Sequence, residues 1–478
     1  MQTFLTRYVL QAVLIFTLLN FGCRNSIRRS TGVASAPPNF QEHEVVPPMV
    51  LPFDSTDQLY DGLRREKSVL KFYTSRNHKP AWCNNKRLSI LGDSMALFIE
   101  RIRYYGALPE HYHWNEIKIN RQLDDPSSLM RNDVLLTDAF LSIARDLKYG
   151  RLSELAKLIM HDSVQTSLLR QVLNGCELRP TLETQEPTFA GYCGLKQALK
   201  LSLDTLDGHV RKAFLEGRPN DSLSLNNKLK LIEINLERWR WENAIFGDRY
   251  IFINIPSFRL ELISNNASIF DSKVIVGTPD KQTPLLSSLI ECFIIYPYWH
   301  VPRKIAVDEY LPVIKKSSSF ITKNRFDVLD QKGNILNPDS VEWEMFSKSY
   351  FPVLLRQREG TENSLGVLKF VFDNPYAVFL HDTNAKRLFS KEARAFSHGC
   401  IRMEKAVELA HYLVTGQLNQ KSKIIEVYLE QHQRHTVNLI KPIPIHVRYF
   451  TCEYKGGVLF QHKDFYKRDQ ELIYSFYQ

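Results

Sequence analysis

The chain has 478 residues, 44% of them hydrophobic and 12% aromatic, and carries a formal net charge of +10. That length exceeds one compact core and predicts about two to three domains, while the composition excludes widespread disorder. The positive charge favours an anionic partner, but without a Lys/Arg cluster, a glycine-rich phosphate loop or zinc-finger spacing no nucleic acid is expected.

Arg7 is followed by an apolar stretch, Tyr8 to Leu19, broken by Gln11 and Thr17, and then by Asn20-Phe21-Gly22-Cys23. A basic start, a short apolar core and a small residue before a cut point describe an export signal over residues 1–23. The stretch is shorter than the ~20 residues of a comfortable bilayer crossing. Gly22-Cys23 is similar to the end of a bacterial lipoprotein signal, which would lipidate Cys23, although Asn20 stands where that signal usually has Leu. The alternative is an uncleaved membrane anchor. Both readings predict an exported, periplasmic protein whose N-terminus meets a bacterial membrane. Export permits disulfides. Cys83, Cys176, Cys193, Cys292 and Cys452 remain once Cys23 and Cys400 are set aside, an odd number, so no complete framework is expected. Cys176 and Cys193 flank a polar loop and could pair.

Residues 24–54 are rich in Ser, Pro and charge and read as a tether. From 55 to 240 the pattern is helical: Leu136, Phe140, Ile143, Ala144 and Leu147 share one helical face, and Gly150 is its stop. Leu229, Ile232, Leu236 and Trp239 repeat the pattern, and Pro180 to Tyr192 interrupts it as a loop. No catalytic cluster falls in this half, which reads as a scaffold. Near Tyr250 the texture turns to strands: Tyr250–Ile255, Phe258–Leu262, Lys273–Val276, Val367–Phe372, Tyr376–Leu380 and His446–Thr451. Residues 303–355 between them are polar, less regular and partly helical, which predicts an inserted lid. The fold class is therefore α+β, a helical scaffold followed by a mostly β domain over 241–470.

Chemistry concentrates in His381-Asp382-Thr383 and in Ala395-Phe396-Ser397-His398-Gly399-Cys400-Ile401-Arg402. His381 ends an apolar strand, and Gly399 permits a close backbone approach. Ala406, Leu409, Ala410 and Leu413 mark a helix after Arg402, so Cys400 is expected just ahead of a helix N-terminus, whose dipole and neighbouring histidines would favour thiolate. Local chemistry leaves three readings open for Cys400: a nucleophile, a small buried hydrophobe, or a zinc ligand beside His381 and His398, the last without the usual Cys-x-x-Cys pair.

The stretch from His381 to Arg402 resembles the signature of the L,D-transpeptidases, an upstream His followed by Ser-His-Gly-Cys and Arg. Leu236-Glu-Arg-Trp-Arg-Trp241, Val276-Gly-Thr-Pro279, Trp299-His-Val-Pro302, Arg356-Gln357 and Asn363-Ser-Leu-Gly366 are similar to blocks of the large branch of that family, as are Phe72-Tyr73, Trp82 and Gly150-Arg151 in the helical half. The resemblance covers roughly residues 55–465 and implies a helical scaffold, a β-rich catalytic domain and a capping insertion. Many relatives carry a peptidoglycan-binding domain where this chain has only the stretch 202–226, so the mode of docking on the wall is not implied.

The family implies two-step acyl transfer on peptidoglycan stem peptides, without metal or cofactor. Cys400 would be the nucleophile, His381 the base, and His398 a shaper of the pocket. The backbone of His398, Gly399 and Cys400 would form the oxyanion hole, with Ser397 beside it. Arg402 would hold a substrate carboxylate or brace the loop, and Arg394 is a weaker candidate of the same kind. An L,D-carboxypeptidase or endopeptidase on the same residues, and an inactive wall-binding module, are the rival readings.

Overall fold

The computed structural model describes residues 58–84, 87–123, 125–154, 162–215, 223–242 and 246–478. The export segment, Cys23 and the tether lie outside them.

The helical half is built around α4 (Pro126–Tyr149), whose first turn is capped by Asp125 accepting from the Ser128 N–H, and which ends at Gly150. The apolar face expected from Leu136 to Leu147 is buried, but so is nearly every other residue from Asn132 to Leu147. Buried polar groups need partners. Here Asp133 accepts from the N–H groups of Ala81, Trp82 and Cys83, and Asp146 accepts from Arg64 and from the Tyr112 hydroxyl. Around α4 pack α1 (Glu66–Thr74), α2 (Ile90–Glu100), α3 (Trp114–Asn120), α5 (Ser163–Leu173) and α6 (Leu178–Glu183), followed by α7 (Ala190–Asp204), α8 (Gly208–Leu215) and α9 (Leu223–Arg240). The loop expected from Pro180 to Tyr192 is shorter than that: Pro180 lies inside α6 and Tyr192 inside α7, leaving only 184–189 between helices. Cys176 and Cys193, which could have paired, are both free and exposed.

The block from Leu236 to Trp241 joins the two halves. Glu237 accepts from the Leu152 N–H and the Trp241 indole, and Trp239 stacks on Phe450 with ring centroids 4.2 Å apart. Glu242 grips Arg448 bidentately, and Arg238 pairs with Asp469.

The β-rich half is a nine-stranded sheet in the order β11-β3-β12-β10-β9-β4-β13-β1-β2. Its strands are β1 (Arg249–Asn254), β2 (Arg259–Ser264), β3 (Ala267–Gly277), β4 (Leu286–Ile295), β9 (Leu368–Phe372), β10 (Leu380–His381), β11 (Ala395–Ser397), β12 (Ile401–Met403) and β13 (His435–Arg448). The long strand β3 pairs with β12 at its C-terminal end and with β2 at its N-terminal end, so the sheet curls round and closes through it. Two expectations need correction. The strand read over Tyr376–Leu380 survives only as Leu380–His381, because Asn374 turns the chain with bonds to the N–H and carbonyl of Val378. The strand read over His446–Thr451 is the end of the much longer β13 and stops at Arg448.

The insertion is more regular than its polar texture suggested. Helical turns over 303–316 and 319–323 pack on a four-stranded sheet, β5 (Trp299–His300), β8 (Leu354–Gln357), β6 (Phe326–Leu329) and β7 (Ile335–Leu336) in that order. It has its own apolar core, which includes Leu311, Ile314, Ile321, Val328, Trp343 and Leu355. Helices α10 (Ala406–Thr415), α11 (Lys423–Glu430) and α12 (Asp469–Tyr477) complete the chain, and Arg151 of the scaffold donates to the Ser475 and Phe476 carbonyls of α12.

Candidate active site

Alternation along three neighbouring strands separates a core face from a reactive one. Leu368, Phe370 and Phe372 of β9, Leu380 of β10, and Ile401 and Met403 of β12 all enter the sheet's apolar core. The residues between them point the other way. On that second face Lys369 pairs in register with His381, and His381 with Arg402, forming one row across β9, β10 and β12. Cys400, two residues before Arg402, lies on the same side, and the Ile401 N–H donates to the Phe379 carbonyl at 2.9 Å, which sets Cys400 beside Phe379.

His381 is buried, and its Nδ1–H donates to the Asp382 carbonyl, which fixes the tautomer and leaves Nε2 as the acceptor. Asp382 is itself held: its carboxylate accepts from the Val367 N–H at 3.0 Å and from the Lys386 ammonium. The Asn363–Gly366 turn backs this arrangement. Gly366 has φ +61°, and a Cβ there would come within 2.4 Å of the Asp382 carboxylate, so this position requires glycine. Burial, reinforced by the Arg402 guanidinium, pushes the His381 imidazole down to about 3, so the ring is neutral at physiological pH.

Cys400 is half-buried, and burial raises its thiol above the ordinary value, against weaker opposing effects of a backbone hydrogen bond at Phe379 and the cations Lys369 and Arg402. This overturns the expected thiolate. The helix after Cys400 begins only at Ala406, with β12 intervening, so its dipole is not aimed at the sulfur. The resting groups are a neutral imidazole on β10 and, just before the adjacent β12, a thiol whose proton burial favours.

The loop carrying Cys400 is tied from both sides. Gly399 takes φ +115°, and its carbonyl accepts from the Thr283 hydroxyl at 2.9 Å. That hydroxyl in turn accepts from the Gly277 N–H at 2.9 Å, within the Val276–Pro279 block. The Ser397 hydroxyl donates to the Cys400 carbonyl at 2.5 Å and accepts from the Gly399 N–H at 3.1 Å. The Gly399 N–H is thus already engaged and drops out of the expected oxyanion hole. Among the described residues the N–H groups of His398 and Cys400 have no such partner.

His398 does not turn toward the sulfur. Its Nε2 meets the Glu309 carboxylate of the inserted subdomain at 2.6 Å, and Glu309 also pairs with Lys281 at 3.1 Å. Arg394 is buried and donates to the carbonyls of Val274, Lys391, Glu392 and Phe258. It braces the loop, the second of the two roles expected of it. Arg402 makes no such bonds, and its Nε is buried without an acceptor. Among the described residues no three His, Cys, Asp or Glu side chains are arranged to hold a metal. Sequence reasoning missed Lys369, whose signal is a lone cation in the apolar run Leu368–Phe372. It also missed Thr283 and Glu309, which carry no local signal because their partners are distant in the chain.

The fold and this site define a two-part protein: a helical scaffold fused to a closed β domain that presents a half-buried thiol on the same face as a neutral histidine. Residues 248–427 match the model of the L,D-transpeptidase catalytic domain, and residues 67–199 that of the Scaffold domain. The β-rich part of the chain thus carries an L,D-transpeptidase catalytic domain, and the helical part before it carries a Scaffold domain. A Haemophilus influenzae protein named "Putative L,D-transpeptidase" is 31% identical over 224 residues, which are 46% of this chain and 45% of that protein, so the match spans less than half of the relative's length. A solved structure titled "Structure of the Ldtfm-avibactam carbamoyl enzyme" is 10% identical over 42% of this chain and 49% of its own, with a TM-score of 0.18, a likeness too slight to carry any argument.

Proposed function

We propose that the protein is a peptidoglycan L,D-transpeptidase that acts outside the cytoplasm, tethered to a bacterial membrane by its N-terminus. The observation that carries this reading is an Nδ1–H imidazole on β10 whose register partner on the adjacent β12 is Arg402, two residues after Cys400. Nε2 of His381 takes the thiol proton as Sγ attacks the carbonyl between the L-centre of diaminopimelate and the terminal D-alanine. The N–H groups of His398 and Cys400 receive the oxyanion. As the C–N bond breaks, His381 returns the proton to the D-alanine amine, and a thioester remains on Cys400. An acceptor amine then adds to the thioester and gives a proton to His381, the C–S bond breaks, and that proton returns to the sulfur. The absence of loop-bracing bonds on Arg402 favours its role as a carboxylate holder.

Intact-mass analysis with a carbapenem, and with a tetrapeptide stem, tests the reading. An acyl adduct is expected on the wild type and none on Cys400→Ala, and muropeptides incubated with the enzyme should gain new cross-links. An adduct that persists on Cys400→Ala refutes the assignment of the nucleophile.

A further inference from the structure

We propose that Lys369 and Arg402 together form a two-cation cradle for a carboxylate, and that its occupant is the carboxylate of the residue leaving the acyl donor, one residue beyond the scissile carbonyl. The identity of the donor rests on the function proposed above; the cradle rests on the geometry alone.

The first observation is register. Lys369 and Arg402 flank His381 from the two neighbouring strands, on the face that also carries Cys400. Adjacent strands are about 4.8 Å apart, so the two cations bracket the histidine rather than lying elsewhere on the rim. The Lys369 ammonium leans toward the sulfur's side, resting 3.4 Å from the centroid of the Phe379 ring beside Cys400.

The second observation is the missing counter-charge. Among the described residues neither side chain has a carboxylate partner or a hydrogen-bond acceptor, and Arg402 Nε is buried without one. Other buried arginines, even where an Nε is left over as in Arg240, have an acceptor on the guanidinium: Arg238 has Asp469, Arg448 has Glu242, Arg240 has the Tyr105 carbonyl and Arg394 has backbone carbonyls. Desolvating a cation without an acceptor is costly, and an incoming anion would relieve that cost. The other charged groups nearby do not supply it. Arg434 adds positive charge next to Lys369, and Glu309 on the inserted subdomain is already engaged by His398 and Lys281.

The third observation is reach. In a peptide that ends one residue after the scissile bond, three covalent bonds separate the reacting carbonyl carbon from the terminal carboxylate carbon, at most about 4 Å. A carbonyl at Cys400 therefore puts that carboxylate within the span of the row. A donor whose chain continues past that residue has no charge to place there, so the cradle selects for donors with a free terminus.

Iodoacetate and iodoacetamide differ by one charge and read the cradle without any peptide. Their alkylation rates at the Cys400 peptide, followed by mass spectrometry and normalised to a free small thiol, should favour iodoacetate in the wild type. That preference should fall about tenfold in Lys369→Met and persist in Lys369→Arg. A preference unchanged in Lys369→Met overturns the proposal. Should Lys369→Met not fold, the wild type decides: N-acetyl-D-alanine should slow alkylation of Cys400 by iodoacetamide and its amide should not, and equal behaviour of the two overturns the cradle. Tetrapeptides separate this inference from the function it rests on. Failure of any stem to acylate Cys400 while the charge preference persists removes the donor and leaves the cradle. Equal acylation by free-acid and amidated stems removes the cradle and leaves the transpeptidase.

Discussion

Replacing His381 with Ala distinguishes a base that works from a neutral resting state from a preformed thiolate–imidazolium pair. Burial raises the Cys400 thiol above its ordinary value, which favours the protonated form at neutral pH. The imidazole lies near 3. Moving the proton from sulfur to ring is therefore uphill for the separated groups. In the proposed mechanism the proton moves in concert with attack on a bound carbonyl. Iodoacetamide alkylation of Cys400, followed against pH, should rise about tenfold per unit through neutrality with no plateau. His381→Ala should leave that profile unshifted, because no cation is lost, while acylation by a peptide or carbapenem donor falls roughly 10²–10⁴-fold. A wild-type plateau below about pH 7 that disappears in His381→Ala would show an ion pair at rest and refute this account.

The same imidazole makes the fold acid-sensitive. It binds its proton near 6.5 when unfolded and near 3 when folded, so its contribution is present above 6.5 and lost as pH falls toward 3. Between pH 7 and 5 this is about 2 kcal/mol, read as a lower urea midpoint that His381→Gln should show to a smaller extent. Thr283→Val strands the Gly399 carbonyl and the Gly277 N–H; denaturant unfolding should report a loss of about 1–3 kcal/mol, with slower acylation from a loosened Cys400 loop. Glu309→Gln releases His398 and Lys281, and should weaken capture of stem peptides while leaving alkylation of Cys400 by iodoacetamide within about twofold. Equal losses in both assays would place Glu309 in the chemistry instead of at the entrance.

Where function could be read from the sequence, the reason is that the needed signal was local. Gly399, Cys400 and the histidines stand within one short loop and the end of one strand. The period of α4 and the alternation of β2 likewise depend only on near neighbours. What escaped notice depends on partners far along the chain. The role of Arg394 stayed open between holding substrate and bracing the loop because two of its four carbonyl acceptors, those of Phe258 and Val274, cannot be seen from the loop that carries it. The thiolate expectation failed for a related reason: the histidines near Cys400 in sequence suggest positive charge, whereas burial in the folded site keeps His381 uncharged. The inserted segment looked irregular because β5 and β8, more than fifty residues apart, make its sheet only after the chain returns.

One geometric fact links chemistry to fold. The side of β9, β10 and β12 that faces the core is wholly apolar, and its opposite side carries Lys369, His381, Cys400 and Arg402. A shift of one residue in any of these strands would send its reactive group into the apolar core and an aliphatic side chain into the site. The apolar packing that stabilises the domain is therefore also what holds the reactive row in register. It follows that substitutions at Leu380 or Ile401, which touch no substrate, should impair acylation through misplacement of His381 and Cys400 before they unfold the domain. The turn at Gly366 and the carboxylate of Asp382 fix the same row from its outer end, so the geometry of His381 is set twice, once by the sheet and once by the loop behind it.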